Sequence, residues 1–380
     1  MSSPELPAET ELTGPVRKGP GGLKSLMFSA VSLLTLAALI ECGWRLLVAL
    51  GLLFPPTSDR SLIQEWEWAY QHLGAEYDTF GETMFRFDPE IGWFPKAKLR
   101  GEEVNTNVHG QRGTLDWPVE RTPDKQRILI IGDSYTFGFE VKDNESYPAQ
   151  LNNLLPQAEV INWGVPGYGT DQQLLLYERD GVRFKPDVVV LGFYTRDLFR
   201  NDTWFRSFSK PVFEVVDGEL ALTHTEIISP TEMVRQYTTG ERRFETKGLY
   251  LLEYARRMFE KLERRRVDET SPEWLVTSKI IERFARRARA EGSKPFLLIL
   301  PHDEILEKEV SATSDTARLL TEKSVELGMP SLDLTPILRE TARKDPRPLY
   351  KGHMTAWGNE VTARALLEAL KKEGLVEGGS

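Results

Sequence analysis

The stretch that most constrains this chain is Arg127–Ser134, RILIIGDS. Its apolar residues follow one another without polar alternation, which reads as a strand buried on both faces, and it stops at Gly-Asp-Ser, a polar turn. The same rhythm recurs downstream. A helix is expected near 147–155, a strand over 159–164 (EVINWG), a helix near 170–181 and a strand over 187–194 (DVVVLGFY). KPFLLILP (294–301) and SLDLTP (331–336) supply two more strands, with helical segments between and after them. Buried strands alternating with helices predict a parallel sheet covered by helices on both faces, with its site outside the carboxyl ends of the strands.

One section interrupts the alternation. Between the third and fourth of these strands, about 197–292 reads as an insertion, whose first part, 197–245, contains KPVFEVVDGELALTHT. Asp217-Gly218 between two apolar-rich runs is a hairpin signal. Two helices follow, near 247–266 and 273–291, each with a dense Arg/Glu face that reads as solvated beside an apolar stripe. The second is a candidate crossover helix into the fourth strand. Upstream, 57–125 reads as a lead-in region of turns and short extended pieces, around Met84–Phe87 and Glu103–Asn107, packed on a domain spanning 126–373. Trp66 and Trp68 in this region read as packing residues.

The amino-terminal part has a different character. Residues 1–21, rich in Pro, Gly, Glu and Ser, read as a disordered tail. Leu26–Ile40 then runs fifteen residues without a charge, and the apolar pattern continues to Phe54, broken by Glu41 and Arg45. A bilayer span needs about 20 residues. The reading is an anchor over 22–54: a membrane helix at 23–41, then an interfacial amphipathic segment at 42–54, or else one longer tilted span reaching Phe54. Glu41 and Arg45 stand four apart, on one helix face, and can pair. Arg17, Lys18 and Lys24 precede the run and acidic residues follow it, which predicts a single-pass protein with a cytoplasmic amino-terminus and an extracytoplasmic domain, periplasmic or at the cell surface. No small-x-small cleavage site follows Ile40, which favours a retained anchor over a cleaved signal peptide.

Composition excludes several classes. A net charge of −9 argues against nucleic acid as a partner, and a single cysteine, Cys42, rules out an internal disulfide framework. No HExxH, Walker loop or dinucleotide fingerprint occurs, so neither a metal nor a cofactor is expected.

The candidate chemistry sits at Ser134, in IGDSYTFG, directly after the first buried strand. There a hydroxyl projects at the strand's carboxyl end beside turn N–H groups able to hold an oxyanion. Gly-Asp-Ser alone is a common turn sequence. Further blocks fit around it: Asn162–Thr170 (NWGVPGYGT), the strand end LGFYTRDLFRND, and His353 in LYKGHMTAWGNEVTARAL before a carboxy-terminal helix. With these blocks the chain resembles the SGNH (GDSL-like) hydrolase family, over about 125–200 and 294–370. The resemblance implies a three-layer αβα, flavodoxin-like parallel sheet. It implies Ser134 as acyl-transfer nucleophile and His353 as general base, with a glycine N–H, Gly167 before Gly164, in the oxyanion hole.

Two positions depart from the family pattern. Arg196 stands where the third block has its oxyanion-donating Asn, followed by the usual Asp197; Asn201 lies five residues later. A guanidinium can also donate, so Arg196 is a candidate for the oxyanion hole. The triad acid is expected two or three residues before the histidine, where Lys351 and Tyr350 stand instead. Asp303 and Asp333, near carboxyl strand ends, are the candidate substitutes. The implied activity is ester hydrolysis or acyl transfer on acyl esters, acetyl esters among them, of a cell-surface polysaccharide or lipid. The alternative is a catalytically degenerate domain that binds a glycan or protein in the same cleft.

Overall fold

In a computed structural model the chain is described over residues 21–50, 52–53, 84–206, 208–241, 248–263, 267–306 and 312–377. The amino-terminal tail, Trp66, Trp68 and the end of the anchor at Phe54 lie outside these residues. A helix α1 (Gly21–Ala49) comes first. A hairpin of β1 (Phe85–Asp88) and β2 (Gly92–Pro95) leads into the core. The core strands are β3 (Gln126–Gly132), β4 (Ala158–Gly164), β5 (Val188–Tyr194), β8 (Lys294–Leu300) and β9 (Ser331–Asp333). They pair in parallel in the order β4-β3-β5-β8-β9. Counted by core strand this is 2-1-3-4-5, the doubly wound flavodoxin-like order, whose switch point lies between the first and third strands.

The lack of polar alternation in β3 has a simple cause: both faces are covered. Leu129 and Ile131 face one layer with Ile161, Leu191 and Ile299. That layer holds α4 (Thr170–Arg179) and α7 (Pro272–Ala290), whose Ile280, Ile281, Phe284 and Ala288 are buried there. Ile128 and Ile130 face the other layer, against α3 (Tyr147–Leu154) and α10 (Ala356–Lys372) through Leu151, Leu366 and Leu370. At about 25 cal/mol per Å² of apolar area, this two-sided burial is the main stabilising term of the domain.

Between β5 and β8 the chain forms a hairpin of β6 (Val212–Val216) and β7 (Glu219–His224), then α5 (Pro230–Thr238), α6 (Tyr250–Glu263) and α7. Asp217 and Gly218 at the hairpin tip have φ of +52° and +82°, as a two-residue primed turn requires. The remaining helices are α2 (Ser134–Phe137), α8 (Ala312–Glu326) and α9 (Thr335–Lys344), with a small hairpin of β10 (Tyr350–Lys351) and β11 (His353–Met354) before α10.

Two expectations need correction. The amino-terminal helix does not break at residue 41 but runs unbroken to Ala49. The extended reading of Glu103–Asn107 reduces to one isolated bridge, Thr106 with Arg112. In the first case the Glu41–Arg45 pair, closed at 2.6 Å, removes the reason to break.

Candidate active site

The site begins with a row of glycines. Gly132 and Gly164 end β3 and β4, and Gly192 stands in register with them two residues before the end of β5. A Cβ at Gly132 would fall 2.0 Å from Thr136 Oγ1, at Gly164 2.2 Å from the Phe137 amide nitrogen, and at Gly192 2.4 Å from Thr136 Oγ1. The row is what lets α2 sit directly on the ends of three strands. Asp133 caps α2 by accepting from the Tyr135 N–H at 2.9 Å, and Ser134 is its first residue. The nucleophile candidate is thereby fixed at the switch point of the sheet.

His353 reaches the same place from β11. Its Nε2 lies 3.0 Å from Ser134 Oγ. Asp133 Oδ2 is a second possible acceptor for the serine proton, but at 3.5 Å it is the weaker one. The segment that carries Ser134 also holds the imidazole. The Tyr135 and Phe139 rings lie 5.3 and 5.2 Å from it, centroid to centroid. Glu140 Oε2 lies 3.3 Å from both the His353 backbone nitrogen and Nδ1. At Nδ1 the N–H is not well aimed at that oxygen, yet this nitrogen is buried without another partner among the described residues. Catalytic hydrogen bonds are often long in unliganded sites.

Glu140 is the residue that sequence reasoning missed. The carboxylate beside His353 is neither Asp303 nor Asp333. Asp303 Oδ1 pairs with His302 Nδ1 at 2.6 Å, and Asp333 Oδ1 accepts the Thr335 N–H at 2.8 Å at the start of α9. Each is bound to a near neighbour in sequence, and no ion pair or hydrogen bond among the described residues joins either to His353. Glu140 lies in the nucleophile block rather than the histidine block, and its backbone is left-handed, φ +68°. For a residue with a side chain, that conformation costs on the order of 1–3 kcal/mol and gathers at functional sites. The sequence signal available was a carboxylate six residues after the nucleophile, beyond a Gly turn.

The glycine expected to donate to an oxyanion is Gly167, at φ +86° and seated over Trp93: a Cβ there would stand 3.2 Å from Trp93 Cζ2. Trp93 Nε1 donates to the Pro166 carbonyl at 3.0 Å, so the β1–β2 hairpin braces this loop. The Gly167 N–H donates to no acceptor among the described residues. Gly164, the other choice, has its N–H taken by Asn162 Oδ1 at 3.0 Å.

The third block is rewired. Arg196 is half-exposed and turns to Glu304, 3.7 Å away, and no contact among the described residues joins it to Ser134. Arg200, one turn on, is the buried cation. Its Nη1 lies 2.8 Å from Asp133 Oδ2, 2.6 Å from Asp197 Oδ1 and 3.0 Å from the Tyr168 carbonyl. Burial and then the nearby Asp133 carboxylate drive Asp197 well above the usual carboxylate range, against the pull of Arg200. Burial alone would lower Arg200, but the two carboxylates hold it above its ordinary value. Arg206 stands behind this cluster, pulled down to about 10 by burial and by Arg200. Asn201 accepts from the Asp171 N–H and donates to Thr277 Oγ1, a packing role away from the serine. A cavity of about 550 Å³ between β9 and α10 contains none of these groups.

A serine hydroxyl against an imidazole, at the switch point of a 2-1-3-4-5 parallel sheet with helices on both faces, is the arrangement of the SGNH class of αβα hydrolases. Residues 130–361, more than half of the chain, match the GDSL-like lipase/acylhydrolase family, and the chain belongs to that family. Among solved structures it is similar to TesA, with 13% identity and a TM-score of 0.40 over 65% of this chain and 99% of that one. It is similar to a catalytic mutant of Axe2, an acetylxylan esterase from Geobacillus stearothermophilus, with 16% identity and a TM-score of 0.38 over 66% and 96%. A two-domain esterase active on acetylated mannans gives 11% identity and a TM-score of 0.39 over 67% and 51%. No curated protein matches the chain.

Proposed function

We propose that this family member is a serine ester hydrolase or acyl transferase in which Ser134 attacks, His353 is the general base and Glu140 orients the base. The observation that carries the reading is the 3.0 Å approach of His353 Nε2 to Ser134 Oγ. For Nε2 to accept the serine proton, the ring must carry its own proton on Nδ1, the nitrogen that faces Glu140. The carboxylate selects that tautomer and stabilises the imidazolium formed on attack. The Gly167 N–H and the Ser134 N–H, left unused in the first turn of α2, receive the oxyanion. His353 then returns its proton to the leaving alcohol, and water, or a second alcohol in transfer, releases the acyl group.

The substrates are acyl esters, acetyl esters included, of a cell-surface glycan or lipid. The domain acts outside the cytoplasm, tethered by α1 as a single-pass anchor with a cytoplasmic amino-terminus. In support, Lys24–Ala49 is a helix long and apolar enough to cross a membrane. A reporter fused after Ser380 is expected to be active outside the cytoplasm only.

The purified chain in detergent is expected to hydrolyse an activated short-chain ester. Ser134→Ala should abolish turnover, and His353→Ala should lower it nearly as far, by about 10⁴–10⁶-fold each, because the members of one catalytic unit are not additive. Ester turnover that survives both substitutions would remove this assignment. Turnover absent from the folded parent would favour the alternative, a binding domain that uses the same cleft.

A further inference from the structure

Helix α6 is amphipathic, with Leu251, Ala255 and Met258 in one row, Leu252 and Phe259 beside it with Arg256 at the edge of that face, and Glu253 and Arg257 opposite by helix spacing. In a soluble domain such an apolar face turns to the core. Here it turns outward: Leu252 is 64% exposed, Met258 50% and Phe259 65%. The start of the helix is held by α1. Glu41 accepts the Tyr250 and Leu251 N–H groups, both at 2.9 Å, and so caps two of the first-turn amides. Arg45 donates to the Gly248 carbonyl at 2.8 Å and lies over the Tyr250 ring at 4.3 Å. The Trp44 and Tyr254 rings meet at 4.6 Å. These contacts fall within 248–254, and α6 runs on past them with its apolar face uncovered by described residues.

Length arithmetic places this junction. At about 1.5 Å per residue, about 20 residues from Leu26 fill an apolar layer of roughly 30 Å and end near Arg45. Glu41, Trp44 and Arg45 then stand at the outer boundary of that layer, where aromatic rings and snorkelling charges are favoured. The exposed Leu46, Leu47 and Leu50 of the same helix end continue the apolar surface. Charge points the same way. Within α6 three basic residues (Arg256, Arg257, Lys261) balance three acidic ones (Glu253, Glu260, Glu263), and the sequence then adds three more basic residues, Arg264, Arg265 and Arg266, in a chain whose net charge is −9.

We infer that α6 is a membrane-surface helix, lying in the headgroup region of an anionic phospholipid leaflet with Leu252, Met258 and Phe259 turned into the acyl boundary. A wide apolar face with an adjoining run of basic residues is the composition of such in-plane helices. The inference rests on the reading of α1 as a membrane anchor and adds a second attachment to it. Because only eight residues, 264–271, separate α6 from α7 in sequence, and α7 packs on the sheet, the two attachments together set the orientation of the catalytic sheet to the bilayer.

The test uses the full chain with Cys42→Ser, reconstituted in phosphatidylcholine vesicles containing phosphatidylglycerol. Nitroxide labels are placed one at a time through Leu252→Cys, Phe259→Cys, Arg257→Cys and Leu33→Cys, with an unchanged melting curve required of each. Collision with oxygen, which partitions into lipid, is compared with collision with a water-soluble nickel chelate. The expected result is a several-fold higher oxygen-to-nickel ratio at 252 and 259 than at 257, with 33 as lipid-exposed as any site. Labels at 252 and 259 as open to nickel as 257, while 33 stays in lipid, would overturn the inference and leave the anchor standing. Labels shielded from both reagents would mean a protein partner or a second copy covers the face, and would also overturn it. A nickel-accessible label at 33 would overturn the anchor itself.

Discussion

The loops after the first and third core strands both sit at the switch point and differ in how they treat charge. In the first, Asp133 to Glu140, one short segment caps α2, presents the Ser134 hydroxyl and grips the imidazole through Tyr135, Phe139 and Glu140. Its carboxylate at 140 is half-exposed. In the third, Thr195 to Arg206, the charges go inward: Arg200 and Asp197 are buried with Asp133 behind the serine, while Arg196, at the family's oxyanion position, turns aside to Glu304. The difference teaches a division of labour. On the proposed function the first loop would position the reacting atoms, and the third places a buried ion cluster beneath them.

The largest effect that sharpens this contrast is Arg200→Met. Removing the cation leaves Asp133 and Asp197 buried together, so the variant should lose about 3–5 kcal/mol of stability in denaturant titration, the usual cost of breaking a buried pair from one side. A loss under about 1 kcal/mol would contradict the buried ion cluster described. Gly164→Ala should cost about 1–3 kcal/mol or more, because its methyl group would meet backbone of α2 that cannot yield. Melting measurements would detect an unperturbed variant at once.

Smaller in stability but larger in rate is Glu140→Gln. It keeps the shape and removes the charge, and kcat/KM on an activated ester should fall by about 10–10³-fold. That is less than the ~10⁴ of a fully buried triad acid because this carboxylate is half-exposed. Stability should change by less than about 0.5 kcal/mol, as for other surface sites. Smallest of all, Arg196→Ala should leave stability within about 0.5 kcal/mol and turnover nearly as in the parent, since an exposed pair with Glu304 is worth little. A large kcat loss there would move the oxyanion role back to Arg196.

These contrasts also mark what the sequence could yield. The sheet was legible because its strands are buried on both faces and carry no polar alternation, and because each ends at a Gly or a polar turn. The Asp217-Gly218 hairpin was legible for a local reason, two residues with positive φ. The approach of Ser134 and His353 followed from block order. The acid did not, because Glu140 reaches Nδ1 through a left-handed backbone turn that no spacing rule encodes. The Arg200 cluster is equally non-local: Asp133 lies 67 residues away in sequence, and burial rather than residue type makes the pair matter. The outward face of α6 read from sequence as an ordinary solvated amphipathic helix; its capping by Glu41 joins residues 209 and 210 apart.

The proposed function makes Ser134 a nucleophile activated through His353 and Glu140. The most direct measurement is reaction of the full chain with a serine-directed fluorophosphonate, followed by mass spectrometry of the adduct. The account predicts a single stoichiometric phosphonyl adduct on Ser134, formed more slowly in Glu140→Gln and more slowly still in His353→Ala. An adduct on another residue, or labelling of Ser134 at the parent rate in both variants, would contradict it.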